Sequence, residues 1–284
     1  MKKTLIAIII IGLVLLISGK IIMLCSQSDD DGISTNNFIT DGSFDIIKKE
    51  FDGVDSIDLE LGIYSVAIQS NNTIKNVRIK AKKPIVNVNG ADIDKLEINF
   101  INGRLTIKQK RSRRKDFKIL NFDDYKGELQ IEVPAGNVLD NIDIENGVGK
   151  IELNDISVNN LDIDCGTSSV EGRNLKMSEC SISGGVGSVK LYDILTDKLK
   201  IDSGTGSAHV SGDIMKEAKV STGTSSVSFE LYGGEKDYNF DIETGLGSIK
   251  IYKNEFKREA TINNKSNRNI EINAGLGSIN IKTE

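Results

Sequence analysis

The segment "ISGGVGSVKL", residues 182–191, has the residue types of a phosphate-binding loop. Gly184, Gly185 and Gly187 follow a strand-like run, and a serine and a lysine come next. A dinucleotide-binding loop needs a third spaced glycine before a helix, and a P-loop needs Gly-Lys-Ser or Gly-Lys-Thr at a helix start. Neither motif is complete and a strand pattern follows, so the sequence argues against a nucleotide site.

Four acidic side chains recur at a spacing of 19 residues and could attract a metal ion. They are Asp143, Glu145, Asp162 and Asp164. Stacked on one flat face, they would lie about 5–7 Å apart, and a divalent cation would relieve their repulsion. The alternative is a solvated face, which we favour because serine and lysine interrupt both columns further along the chain. We therefore predict no metal site and no cofactor.

A basic segment, "KQKRSRRKDFK" at residues 108–118, has seven basic residues and one acidic residue. Its candidate contacts for an anionic surface are Lys110, Arg111, Arg113, Arg114 and Lys115. Each such residue contributes about 1 kcal/mol near a charged membrane, so the candidate partners are anionic lipid, an anionic wall polymer or another envelope protein. The alternative is a solvated loop. The formal net charge of −5 does not indicate nucleic-acid binding.

The sequence has few residues in arrangements that could support catalysis. His209 is the only histidine and has no serine or aspartate at a catalytic spacing. Enzymes that cleave sugars on β-helices need paired acids and aromatic platforms, but the chain has no tryptophan. Cys165 and Cys180 fall in columns too far apart for a disulfide, so we expect two buried free thiols. We predict no catalytic residue.

Seven twelve-residue segments align without gaps and reveal an internal repeat. They start at Ile142, Leu161, Cys180, Leu199, Ala218, Phe240 and Ile270. In each segment, apolar residues alternate with polar ones on both sides of an invariant glycine in the sixth position. These glycines are Gly147, Gly166, Gly185, Gly204, Gly223, Gly245 and Gly275. Alternation indicates strands with one buried face, so each copy reads as a strand, a glycine corner and a second strand.

A repeat near 20 residues is typical of a solenoid. We therefore predict an all-β protein in which residues 141–284 form a parallel β-solenoid of about 19-residue coils, right-handed by the general crossover preference. Residues 44–140 are less regular and are expected to form a β-rich cap, with a hairpin turn at Asn102 and Gly103. Val186 and Val189 are expected to belong to apolar columns.

The N-terminus predicts membrane attachment. Residues 1–25 combine a basic start with an apolar run at 4–25 that would span a bilayer as one helix, with the N-terminus inside. The alternatives are a cleaved signal peptide and a lipoprotein modified at Cys25, although no small-x-small cleavage site is apparent and Leu24 precedes that cysteine. Residues 26–43 are expected to be a polar tether.

The motif "IEVPAG" at 131–136, followed by repeats that end in "GLGSIKI" and "GLGSINI", resembles the bacterial "putative adhesin" family of β-strand repeats. The resemblance covers residues 44–284. It implies an envelope domain, often behind a membrane anchor, and carries no catalytic residues. We expect a binding or scaffolding protein at the bacterial cell surface, in adhesion or envelope stress. The alternatives are a structural spacer and an enzyme acting on wall glycan.

The last repeat ends at Ile281, almost at the C-terminus. Nothing obvious in the sequence covers the backbone edge of this final coil, and exposed parallel edges invite strand pairing. We therefore expect either that residues 252–269 fold over this edge, or that a partner or a second copy of the chain docks there.

Overall fold

The computed structural model describes residues 44–85, 87–88, 91–92, 94–111 and 126–283. The predicted anchor and tether lie outside these residues. Among the described residues, no helix has the length and hydropathy needed to cross a bilayer. The described chain is all-β as predicted, with a 3-10 turn at Glu235–Asp237 as its one short helical element. The strands are β1 Phe44–Phe51, β2 Ser56–Asn71, β3 Val77–Pro84, β4 Asn87–Val88, β5 Ala91–Asp92, β6 Asp94–Ile101, β7 Arg104–Arg111, β8 Gly127–Pro134, β9 Val138–Asn154, β10 Ser157–Arg173, β11 Lys176–Leu231, β12 Asn239–Leu246, β13 Ile249–Ile251, β14 Asn254–Phe256, β15 Glu259–Ile262, β16 Asn269–Leu276 and β17 Ile279–Thr283.

The coils stack in parallel with like positions of the repeat side by side. Ile142 in β9 pairs with Leu161 in β10, and Leu161 pairs with Cys180 in β11. β11 is continuous through three consecutive copies of the repeat. The registers therefore give the predicted parallel stack of 19-residue coils.

The core follows the apolar columns of the repeat. Positions 1, 3, 10 and 12 are occupied almost throughout by buried side chains, such as Ile163 and Val170 in β10. A third inward run, which the alignment did not include, follows the two runs of each copy in the central coils. Its buried members are Ile156, Leu175, Ile194, Val158, Met177 and Thr196. Each central coil thus contributes three inward runs, and no coil could bury these residues alone.

A second corner of the central coils is built on left-handed backbone. Asp155, Asn174 and Asp193 recur every 19 residues with φ of 57°, 50° and 55°. Asparagine and aspartate adopt this conformation at less cost than other residues with a side chain. The Asn174 side-chain amide also donates to Asp155 Oδ1 at 2.6 Å, which links consecutive coils.

The N-terminal end of the stack departs from chain order. The coil from Ile57 pairs directly with β9, Ile57 lying beside Ile142. β7 and β8 form the outer layer on its other side, since Ser56 pairs with Arg104 in β7 and Tyr64 pairs with Gly127 in β8.

Antiparallel strands close this end. β3 pairs with β8, β1 pairs with β3, and β6 pairs with β7. The predicted hairpin turn between β6 and β7 is confirmed, because both of its residues have positive φ, 50° at Asn102 and 77° at Gly103.

The C-terminal end departs from chain order as well. The last repeat, in β16 and β17, lies between the copy from Ala218 and the copy from Phe240: Ile272 pairs with Val220 on one side and with Ile242 on the other. The expectation that the last repeat presents an open edge, available for self-association, is therefore wrong.

The insertion at residues 252–269 does cover an edge, but that of the copy from Phe240. β15 pairs antiparallel with β12, and β14 pairs antiparallel with β13. Both ends of the described stack thus finish in antiparallel strands, which protect the last parallel edges from pairing with other chains.

Candidate binding surfaces

The invariant glycine column marks the closest approach between coils. A Cβ at Gly185 would lie 2.8 Å from the carbonyl oxygen of Gly166 in the preceding coil, and the other six positions give 2.5–2.7 Å. Two positions on, Gly187 has φ of +150°, and a Cβ there would lie 1.8 Å from the Ser168 carbonyl oxygen. Close packing against the neighbouring coil therefore accounts for Gly185 and Gly187 without a bound phosphate.

The position between these two glycines faces outward. Val186 is 52% exposed, and Val148 and Leu246 in the same column are exposed as well. The expectation that Val186 belongs to a buried column is wrong, whereas Val189 is buried. The reason is the corner itself, where the backbone turns and directs the intervening side chain away from the core.

The acidic candidates meet in the predicted columns. Asp143 pairs with Asp162, and Glu145 pairs with Asp164. In the next coil, Asp58 extends the first column. Partial burial, together with the charges of Asp58 and Asp162, raises the pKa of the Asp143 carboxyl above its ordinary value.

Basic side chains partly balance this acidic face. The charges of Arg104 and Lys108 oppose the rise in the pKa of Asp143. Lys108 also donates to Glu60 at 2.8 Å, and this hydrogen bond raises the pKa of the Lys108 ammonium. Among the described residues, no group of three or more His, Cys, Asp or Glu could hold a metal ion. Arg104 and Lys108 thus border the acidic face and partly offset its charge.

The basic segment is inserted into the outer coil at the N-terminal end of the stack. Lys110, in β7, forms an ion pair with Glu97 at 2.8 Å, and Arg111 is the last residue of that strand. Arg113, Arg114 and Lys115 lie outside the described residues. β8 resumes the same layer at Gly127, so the segment that includes these three residues falls between β7 and β8 in the chain.

Charge is distributed unevenly along the chain. Residues 44–134 contain 17 Lys and Arg and 14 Asp and Glu, whereas residues 135–284 contain 16 and 23. β3 and β7 have four basic residues each and no acidic residue. Both strands lie in the N-terminal end layers, so this end of the stack is basic and the remainder is acidic.

The two described cysteines are buried, and the histidine packs against an aromatic ring. Cys165 and Cys180 are both free and buried, as predicted. Burial raises the pKa of the Cys180 thiol to about 12, which leaves it protonated and unreactive at neutral pH. The His209 ring lies 5.1 Å from the ring of Tyr192, and the Arg173 guanidinium covers that tyrosine at 4.4 Å.

A family model settles the relationship of this chain to known proteins. The model of Toastrack DUF4097 matches residues 63–284. The chain belongs to the Toastrack family. The matched region includes all the stacked coils except part of the coil from Ile57. No curated protein matches this Toastrack chain.

Several solved structures are similar to the Toastrack chain at low identity. A "putative cell adhesion protein" from Clostridium sporogenes is 16% identical, with 85% of this chain and 100% of the other covered and a TM-score of 0.40. A "putative adhesin" from Bacteroides fragilis is 13% identical, with 84% and 97% covered and a TM-score of 0.35. A "putative lipid binding protein" from Parabacteroides distasonis is 12% identical, with 86% and 98% covered and a TM-score of 0.34.

Proposed function

We propose that this Toastrack protein is a membrane-anchored, extracytoplasmic, non-enzymatic binding or scaffolding protein of the bacterial cell surface. The apolar run at residues 4–25 anchors it, and the solenoid contacts an anionic surface through its basic N-terminal end. Anionic lipid is the surface with which we test the proposal, and an anionic wall polymer would satisfy the same charge.

The observation that carries this proposal is the coincidence of charge and position. The basic strands β3 and β7 lie in the end layers of the stack, and β3 pairs with β1, the strand with which the described chain begins. The 18-residue segment 26–43 reaches at most about 60 Å when fully extended, so a chain anchored at residue 25 holds this end close to the bilayer. This tether lets the basic end come within a Debye length of the bilayer, about 10 Å, where anionic headgroups attract it.

Limited proteolysis tests the contact. We expect trypsin to cleave residues 108–118 of the full chain about tenfold more slowly in nanodiscs containing phosphatidylglycerol than in phosphatidylcholine discs, since lipid contact shields the basic side chains. High salt should remove the difference, because exposed charges are screened.

Cleavage at Lys253 and Lys257 provides a control within the same molecule. Both are exposed and belong to the opposite end of the stack, so their cleavage should not depend on lipid charge. Equal cleavage of residues 108–118 in neutral and anionic discs would contradict the proposal.

A further inference from the structure

A shallow groove of about 630 Å³ lies on the outer face of the N-terminal strands. Its lining includes Lys48 from β1, Lys80 from β3, Gln130 from β8, and Ala67 and Gln69 from β2. Ala67 occupies the eleventh position of its repeat, where the next two coils have Glu152 and Glu171. The short side chain leaves a depression that those longer side chains would fill.

One row of side chains crosses this groove without an acidic residue. Lys48 lies directly beside Lys80, Lys80 lies beside Gln130, and Gln130 lies beside Ala67. Like charges placed directly opposite each other in neighbouring strands are destabilising. Neither lysine has an acidic partner among the described residues.

The rows on both sides contain carboxylates, which sets this row apart. On one side Arg78 lies between Glu50 and Glu132 and forms an ion pair with Glu50 at 3.2 Å. On the other side Lys82 forms an ion pair with Glu128 at 3.3 Å.

The neighbouring carboxylates are already engaged elsewhere. Glu50 also accepts a hydrogen bond from the Asn76 amide, and Glu132 accepts one from the Asn71 amide. With Lys49, Arg78, Glu50 and Glu132 included, the groove lining has four basic and two acidic side chains, an excess of two positive charges.

We propose that this groove binds a phosphate group, with the ammonium groups of Lys48 and Lys80 as its charge partners and the amides of Gln69 and Gln130 as additional donors. Lysine binds phosphate as a point charge, and amide groups donate to phosphate oxygens. A bound phosphate supplies the negative charge that the row lacks and offsets the repulsion between the lysines. The groove volume is within the range of small-molecule sites.

The phosphate has two sources with the same chemistry, a free phosphate ion and the headgroup of a phospholipid. The headgroup source rests on the proposed function, because it requires the membrane to be near. Binding of inorganic phosphate does not, so failure of membrane attachment and failure of the groove are distinguishable.

Titration calorimetry on the full chain in non-ionic detergent and low salt tests the groove with two probes, inorganic phosphate and the soluble diester glycerophosphoglycerol. We expect saturable binding of at least one probe, and a loss of affinity of about tenfold or more in Lys48→Gln/Lys80→Gln. Tighter binding of inorganic phosphate assigns the free ion, and tighter binding of the diester assigns the headgroup; either result supports the groove.

The matched control is Lys176→Gln/Lys190→Gln, which removes the same charge from exposed positions elsewhere on the stack. Its affinity should equal that of the wild type. Phosphate should also raise the melting temperature of the wild type and of this control, but not that of the groove variant. No binding of either probe at millimolar concentration, or an equal loss of affinity in the control, overturns the proposal.

Discussion

Glycine at the sixth position of each repeat is required by the spacing of the coils. The backbone of one coil lies so close to the next that even a methyl group would meet a carbonyl oxygen, as at Gly185 and Gly166. The eighth position has a different requirement, because Gly187 has positive φ as well. Steric contact therefore explains the glycines of the sixth position. Contact together with positive φ explains the five glycines of the eighth position, which is serine in the other two copies, at Ser168 and Ser225.

Replacement of Gly185 by valine tests this explanation. We expect Gly185→Val to lower the free energy of unfolding by about 3 kcal/mol, because the added side chain forces two coils apart. Lys190→Ala, five residues further on at an exposed position, should change it by less than about 0.5 kcal/mol. Denaturant unfolding of both variants measures the difference, and equal midpoints would contradict the steric role.

Residue patterns predicted the interior of the stack but not its corners. Alternation identified the buried columns, such as that of Ile144 and Ile163, because period-two burial depends only on neighbours along the strand. It failed at Val186, where the turn of the backbone overrides alternation. It also missed the column of Asp155 and Asn174, since the signal there is a preference for left-handed backbone rather than hydrophobicity.

At both ends of the stack, the spatial order of the strands differs from their order in the chain. The repeats predicted which strands exist. Because the copies are so similar, however, the sequence does not show which copy lies beside which in the stack. Ile272 fits equally well beside Val220 and Ile242, because all three are inward-facing aliphatic residues. The order is determined by connections and caps: β14 and β15 cover the copy from Phe240, which leaves the interior place to the last repeat.

Engineered disulfides test this order. Asn273 pairs with Ser221 on one side and with Glu243 on the other, and all three side chains are exposed. Neighbouring parallel strands lie about 4.8 Å apart, within the range of a disulfide, whereas strands two places apart are about 9.6 Å distant. We expect Ser221→Cys/Asn273→Cys to cross-link on mild oxidation and Ser221→Cys/Glu243→Cys to remain reduced.

Gel mobility without reductant reports the result. Cys165 and Cys180 are buried and should not interfere. The opposite outcome, cross-linking of Ser221→Cys/Glu243→Cys alone, would mean that the copies stack in chain order.

Charged residues are unevenly distributed along the described stack. Its basic end is the end at which the described chain begins, and its acidic coils extend from there to the capped C-terminal end. An anchored protein with this polarity holds its basic layers near anionic headgroups and extends its acidic coils away from them. The proposed placement of the solenoid outside the cell rests on the basic residues that precede the apolar run at 4–25.

Labelling of the full chain in protoplasts tests this account most directly. Lys190→Cys places one reactive thiol on an exposed column, and the wild type is the control for the native cysteines. We predict that a membrane-impermeant maleimide labels the variant in intact protoplasts, and that the labelled chain sediments with the membranes. Labelling only after the protoplasts are lysed would contradict the account.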